Sequence, residues 1–190
     1  MAAMRKVLTQ KFFNRDTILL AQELLGKFLV RKLADGNVIA GMITEVEAYD
    51  GFDDRASHAS RGETPRNAVM FGQPGFWYVY FTYGIHWMLN VVTREKGYPA
   101  AILIRAAIVD GVPYAKTNGP AKLTKFFGID KHFNALPAAR KSDLWIEDRG
   151  AMPEKIRKGK RIGVEYAGAW KDAPRRFFID ARDGVYSKAV

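Results

Sequence analysis

The chain has no cysteine among its 190 residues. That excludes a disulfide framework and thiolate metal ligands, and it suits a reducing compartment. Histidine is scarce: His58, His86 and His132 are the three present, and they show no metal-ligand spacing, so no metal site is expected. Neither G-x-x-x-x-G-K-[ST] nor G-x-G-x-x-G occurs, which leaves nucleotide cofactors without support; no cofactor is expected. The N-terminal MAAMRKVLTQKFF lacks the apolar run of a signal peptide. Residues 67–93 carry no acidic or basic side chain, yet Gly72, Gln73, Pro74, Gly75, Gly84, His86 and Asn90 interrupt them. The aromatics of that stretch suit strands better than lipid. The expectation is a soluble cytoplasmic protein with no membrane partner. Repeats, low-complexity tracts and linker-like segments are also missing, so a single domain over residues 1–190 is expected. At this length one core can bury roughly 70% of the surface exposed by the unfolded chain.

What the chain has in excess is positive charge: 30 Lys and Arg against 20 Asp and Glu, a formal net charge of +10. Such a surface attracts polyanions, nucleic acid first, with acidic lipid or the ribosome as other partners. The run KIRKGKRIG puts five basic residues within 155–161, either as a solvated loop or as a phosphate contact.

Strand signals outnumber helix signals. Asn14 or Asp16 can cap a helix that buries Ile18, Leu19, Ala21, Leu24 and Leu25 and ends at Gly26. KFLVRKL reads as a strand, ADGN as a turn and VIAGMITEVEAY as a longer strand paired to the first. A polar loop spans 52–67. AAILIRAAIV is a buried strand, and GPAKLTKFFGI is a short helix opened by Pro120. KGKRIGVEYAG reads as a basic lead into a strand, and RRFFID as another. The pattern predicts an α+β fold, with an antiparallel sheet and peripheral helices.

The stretch GFWYVYFTYGIHWMLN, residues 75–90, holds seven aromatic side chains. A tight turn at Tyr83-Gly84 makes it a hairpin, with Gly84 supplying the positive φ such turns need. In that register Tyr80 faces Trp87 and Phe81 faces His86. Packing across the strands accounts for most of these rings. Tyr83, at the tip, admits two readings: a wedge between stacked bases, or a core residue if the turn lies elsewhere.

ITEVEAY places Glu45, Glu47 and Tyr49 on one strand face, because side chains alternate. Two glutamates on one face repel. An exposed edge strand tolerates them; alternatively one is held at a strand end as a general base, with an aromatic beside it to stack on a substrate. A glycosidase pair ranks lower, since such carboxylates flank the scissile bond from opposite sides.

ITEVEAYDG, ASHASRGETPRNAVMFGQPGFWYVYFTYGIHWMLNVV, AILIRAA, GPAKLTKFFGI and RIGVEYAGAWKDAPRRFFI, in this order, resemble the 3-methyladenine (alkyladenine) DNA glycosylase family over nearly the whole chain. The resemblance implies a monofunctional enzyme that flips alkylated or deaminated purines out of double-stranded DNA and hydrolyses their glycosidic bond. It implies that Glu47 is the catalytic carboxylate and that Arg105 lies beside the water and the DNA backbone. Tyr49, His58, Tyr80 and Asn90 would line the base pocket, and Tyr83 would fill the gap left by the flipped base. The implied fold is a compact domain with a curved antiparallel sheet and a protruding hairpin, acting as a monomer. Phe52-Asp53-Asp54-Arg55 and His86-Trp87 depart from the family pattern, which bears on substrate preference. Two other function classes remain: a non-catalytic module that stacks bases on its aromatics, and a carbohydrate-active enzyme using Glu45 and Glu47.

Overall fold

Alternation along the strands sorts the side chains into two sets, and the helices cover one of them. The computed structural model describes residues 5–180. The ends of the expected 1–190 domain, including the start of the N-terminal segment read above, lie outside the described residues. In chain order the elements are β1 (Lys6–Val7), α1 (Gln10–Phe13), α2 (Thr17–Leu24), β2 (Phe28–Lys32), β3 (Val38–Asp50), β4 (Trp77–Thr82), β5 (His86–Val92), β6 (Ala100–Val109), α3 (Pro120–Phe127), β7 (Leu144–Asp148), β8 (Arg157–Gly159) and β9 (Arg176–Phe178), with short 3-10 turns between them. The nine strands form one antiparallel sheet in the order β1-β7-β2-β3-β6-β5-β4, with β9 pairing both β3 and β8. This is the expected α+β class.

β3 organises the sheet. β6 pairs along one edge from Gly41 to Asp50. The other edge is shared by β2, opposite Val38–Met42, and β9, opposite Glu45–Glu47. Val46, Ala48, Trp77, Val79, Leu89, Val91, Ile102 and Ile104 join the main core with Leu20, Leu24, Leu123 and Phe127 of the helices. The alternate positions of the same strands (Glu47, Tyr49, Tyr78, Tyr80, Asn90, Leu103) therefore face the other way. α3 sits close on the core side: a Cβ at Gly41 would come within 3.0 Å of the Phe127 ring and 2.9 Å of Val109.

Asp16 caps α2, its side chain accepting from the Leu19 amide. Leu19 is a correction to the expected buried set: it is 61% exposed, and Leu20 is buried in its place. The cap at Asp16 fixes the helix phase so that Leu20, Ala21 and Leu24 face the sheet.

The turn falls at Tyr83-Gly84, with φ of 51° and 69° and the Ile85 amide donating to Thr82 O at 3.2 Å. Positive φ at both central residues marks the primed turns that match strand twist. The register is a correction. Ile85 is an extra loop residue, so Tyr80 faces Met88, Phe81 faces Trp87, and Thr82 faces His86. KGKRIGVEYAG, residues 158–168, is a further correction: the strand, Arg157–Gly159, takes in only its first two residues, while residues 165–172 turn in 3-10 geometry across Gly168.

Candidate active site

The two glutamates of β3 share a face, as alternation requires, and one guanidinium serves both. Arg105 Nε donates to Glu45 Oε1 at 2.7 Å, and Arg105 Nη1 lies 3.2 Å from Glu47 Oε1. The β3–β6 register shifts on either side of Glu45, and Arg105 has no partner in the ladder there. A bulge of this kind re-aims a side chain. Arg176 of β9 adds a contact to Glu45 at 3.2 Å. The like charges that would repel in isolation are thus compensated. Neither glutamate lies on an exposed edge: Glu47 has no solvent exposure. Both carboxylates converge on Arg105, which does not suit a pair flanking a glycan bond.

Glu47 has two further partners. Its Oε1 accepts from the Ile162 amide at 2.8 Å, and its Oε2 accepts from the Tyr49 hydroxyl at 2.9 Å. Burial raises the carboxyl pKa above its ordinary value, opposed by the Arg105 charge and the bonds from Ile162 and Tyr49. The Tyr49 phenol is raised well above its usual range, first by burial and then by Glu47.

A cavity of about 340 Å³ opens beside this cluster. Tyr49, Arg105 and Ile162 line it; Glu47 does not reach the wall and sits directly behind those three. His58 Nδ1 is 3.0 Å from the Tyr78 hydroxyl, and its ring meets Tyr80 edge-on with centroids 4.6 Å apart. Burial among these rings and the nearby Arg66 charge hold the His58 pKa below its ordinary value. Burial pushes the Tyr78 phenol up to about 12 and raises Tyr80 as well. Asn90, 3% exposed, donates from Nδ2 to Tyr78 O at 3.1 Å and lines the same cavity. Tyr83 stands at the rim, 81% exposed, and Tyr166, 67% exposed, also lines the cavity. The ring of Tyr83 is therefore not core.

The T-P-R-N segment supports this wall. Asn67 Nδ2 donates to His58 O and Gly62 O, closing the loop that carries His58. Arg66 donates to Phe81 O at 3.0 Å and sits 5.5 Å from the Tyr80 ring, tying that loop to the hairpin. In α3, Pro120 reaches the cavity while Thr124 bonds Trp87 O of β5.

The seven residues singled out in the sequence thus converge: Tyr49, His58, Tyr80, Tyr83, Asn90 and Arg105 line the cavity, with Glu47 behind it. Sequence reasoning missed Tyr78, Asp54, Arg161, Ile162 and Tyr166. Tyr78 looked like one more packed aromatic; alternation with Tyr80 was its available signal. Asp54 and Arg161 meet across 107 residues of chain, and no local pattern announces the pair. Among the described residues, no group of three or more His, Cys, Asp or Glu is placed to hold a metal ion.

A site made of rings, one pocket amide and a buried carboxylate can stack a flat heterocycle, read its edge and accept a proton. Comparison with known proteins points to a particular chemistry. The family model described as methylpurine-DNA glycosylase matches residues 11–183. Proteins named "Putative 3-methyladenine DNA glycosylase" are similar over most of this chain. That of Anaeromyxobacter dehalogenans (strain 2CP-1) is 47% identical over 90% of this chain and 81% of its own. That of Legionella pneumophila (strain Lens) is 44% identical over 96% and 98%, and that of Desulfitobacterium hafniense (strain Y51) is 39% identical over 92% and 96%.

Proposed function

The chain belongs to the methylpurine-DNA glycosylase family, and we propose that it is a monofunctional DNA glycosylase acting on alkylated or deaminated purines in duplex DNA. The observation that carries the reading is a buried glutamate directly behind an aromatic cavity, with an exposed tyrosine at the cavity rim. The damaged nucleotide leaves the stack and enters the cavity between Tyr49 and the His58–Tyr80 wall. Tyr83 occupies the space left in the duplex, which offsets part of the unstacking cost of a few kcal/mol. Asn90 meets the purine edge.

Glu47 acts as base. In the free protein Tyr49, Arg105 and Ile162 stand between the Glu47 carboxylate and the cavity. Entry of the nucleotide parts them enough for the attacking water to donate to Oε2, which as a carboxylate oxygen has capacity for a donor beyond Tyr49. The water oxygen bonds to the sugar carbon, the bond to the purine nitrogen breaks with its electron pair going to the base, and the water proton passes to Glu47. The ionised carboxylate also stabilises positive charge developing on the sugar. A cationic lesion such as 3-methyladenine is already a good leaving group.

Duplex DNA holding one 3-methyladenine or one hypoxanthine, incubated with the protein and then treated with alkali, should break at the lesion. Breakage no greater than in an undamaged control, for both lesions, counts decisively against the reading. Glu47→Gln should lower single-turnover excision at least ~10²-fold, the scale of a general-base contribution, while duplex affinity is retained. A non-catalytic stacking module would instead release no base and show no dependence on Glu47.

A further inference from the structure

One buried charged pair near the cavity has no part in the chemistry above. Asp54 and Arg161 both have fully buried side chains. Arg161 Nη1 donates to Asp54 Oδ2 at 2.6 Å and Nη2 donates to Oδ1 at 2.8 Å, a two-pronged contact that only a guanidinium makes. Nη1 also donates to Ala48 O at 2.9 Å, and the guanidinium lies 4.8 Å from the centre of the Tyr49 ring. Asp54 accepts in addition from the Asp50 and Ala56 amides and from Arg175 Nη1. Three segments are joined at this point: the end of β3 that carries Glu47 and Tyr49, the loop leading to His58, and the strip after Arg161 whose Ile162 amide reaches Glu47. Arg161 is not among the residues that line the cavity.

Fold stability alone is a weak reason for such a pair. Well-packed apolar side chains in place of a buried ion pair are often as stable or more so, and Arg161 Nε is left buried without a hydrogen-bond partner. We propose that Arg161 and Asp54 form a positioning clamp, which holds the Ile162 amide on Glu47 and the Tyr49 ring against the cavity and so sets the basicity of the carboxylate without touching substrate. The consequence for excision rests on the glycosylase reading; the consequence for Glu47 does not.

The test follows the Glu47 carboxyl by NMR in protein labelled with carbon-13 at glutamate side chains, with Glu47→Gln assigning the resonance. The charged and titratable groups facing Glu47 are Arg105 from β6, Glu45 and Tyr49 from β3 and Tyr80 from β4, with Arg176 of β9 on Glu45; all are kept. Arg161→Met leaves Asp54 without its buried partner and loses melting temperature. The double variant Arg161→Met/Asp54→Asn removes both charges and recovers much of that loss. In both, the Glu47 titration should move to higher pH, because the donor at Ile162 is no longer held. Single-turnover excision at pH 7 should fall by about 10²-fold, the scale of a 1 Å misplacement, with duplex affinity unchanged. A double variant that melts near the wild type, with Glu47 titrating as in the wild type, overturns the clamp. If the wild-type protein excises nothing, the glycosylase reading falls, and the titration still decides the clamp.

Discussion

Burial raises the Glu47 pKa although Arg105, Ile162 and Tyr49 all favour the ionised form. The sign has a consequence for stability. A carboxyl whose pKa is higher folded than unfolded binds its proton more tightly in the native state. Its contribution is full below the unfolded value and is lost as pH rises through the folded one. Ionising Glu47 is therefore less favourable in the folded protein than in the unfolded chain. Glu47→Gln should raise the melting temperature relative to wild type more at pH 7.5 than at pH 4, because the cost of the buried carboxyl grows as pH rises. Thermal denaturation at the two pH values checks this, and a difference that shrinks as pH rises would contradict it. The local motif displayed two glutamates two residues apart. It could not display the burial that separates them, Glu47 wholly enclosed and Glu45 partly open.

At the scale of the element, the hairpin was legible because turn chemistry is local. A glycine after an aromatic, between two aromatic-rich runs, marks a tight reversal wherever the chain places it. The pairing was not legible, because one extra loop residue, Ile85, shifts every cross-strand partner by one position. The side-chain direction of Tyr78 and Tyr80 is fixed by the face that packs, so the pocket tyrosines survive that shift. The tip presents Tyr83 at 81% and Ile85 at 68% exposure, the two most exposed large apolar side chains of the hairpin. Tyr83→Ala should lower single-turnover excision by roughly tenfold, as about 1.4 kcal/mol of lost stabilisation would give. The salt dependence of duplex binding should stay the same. A fluorescent base analogue opposite the lesion reports the flipping step; unchanged fluorescence and rate would remove Tyr83 from it.

For the whole molecule the net charge of +10 governs encounter with DNA. Phosphate contacts release counterions, and each lowers affinity as salt rises. Undamaged duplex should bind with a steep negative slope of log affinity against log salt. A protein making six to ten phosphate contacts would lose roughly 10³–10⁵ in affinity between 50 and 200 mM salt. Damaged duplex should share that slope while binding more tightly, since stacking in the cavity neutralises no phosphate. Fluorescence anisotropy across a salt series measures both lines. A flat slope would argue that the positive charge is spread away from any DNA-facing surface.

Local chemistry written in the order of residues determined most strand and helix types, the hairpin turn and the shared face of Glu45, Glu47 and Tyr49. It left the cap of α2 between Asn14 and Asp16, and His58, Asn90 and Arg105 were named through the family resemblance. Alternation, capping and positive φ act within a few positions, so one sequence reveals them. Tertiary structure alone decided which carboxylate is enclosed, where the hairpin register falls and how the residues after Gly159 turn. It also decided that Arg161 locks onto Asp54 across 107 residues. Those outcomes depend on desolvation and on contacts between segments distant in the chain, and the energy of such contacts exists only once the sheet brings them together.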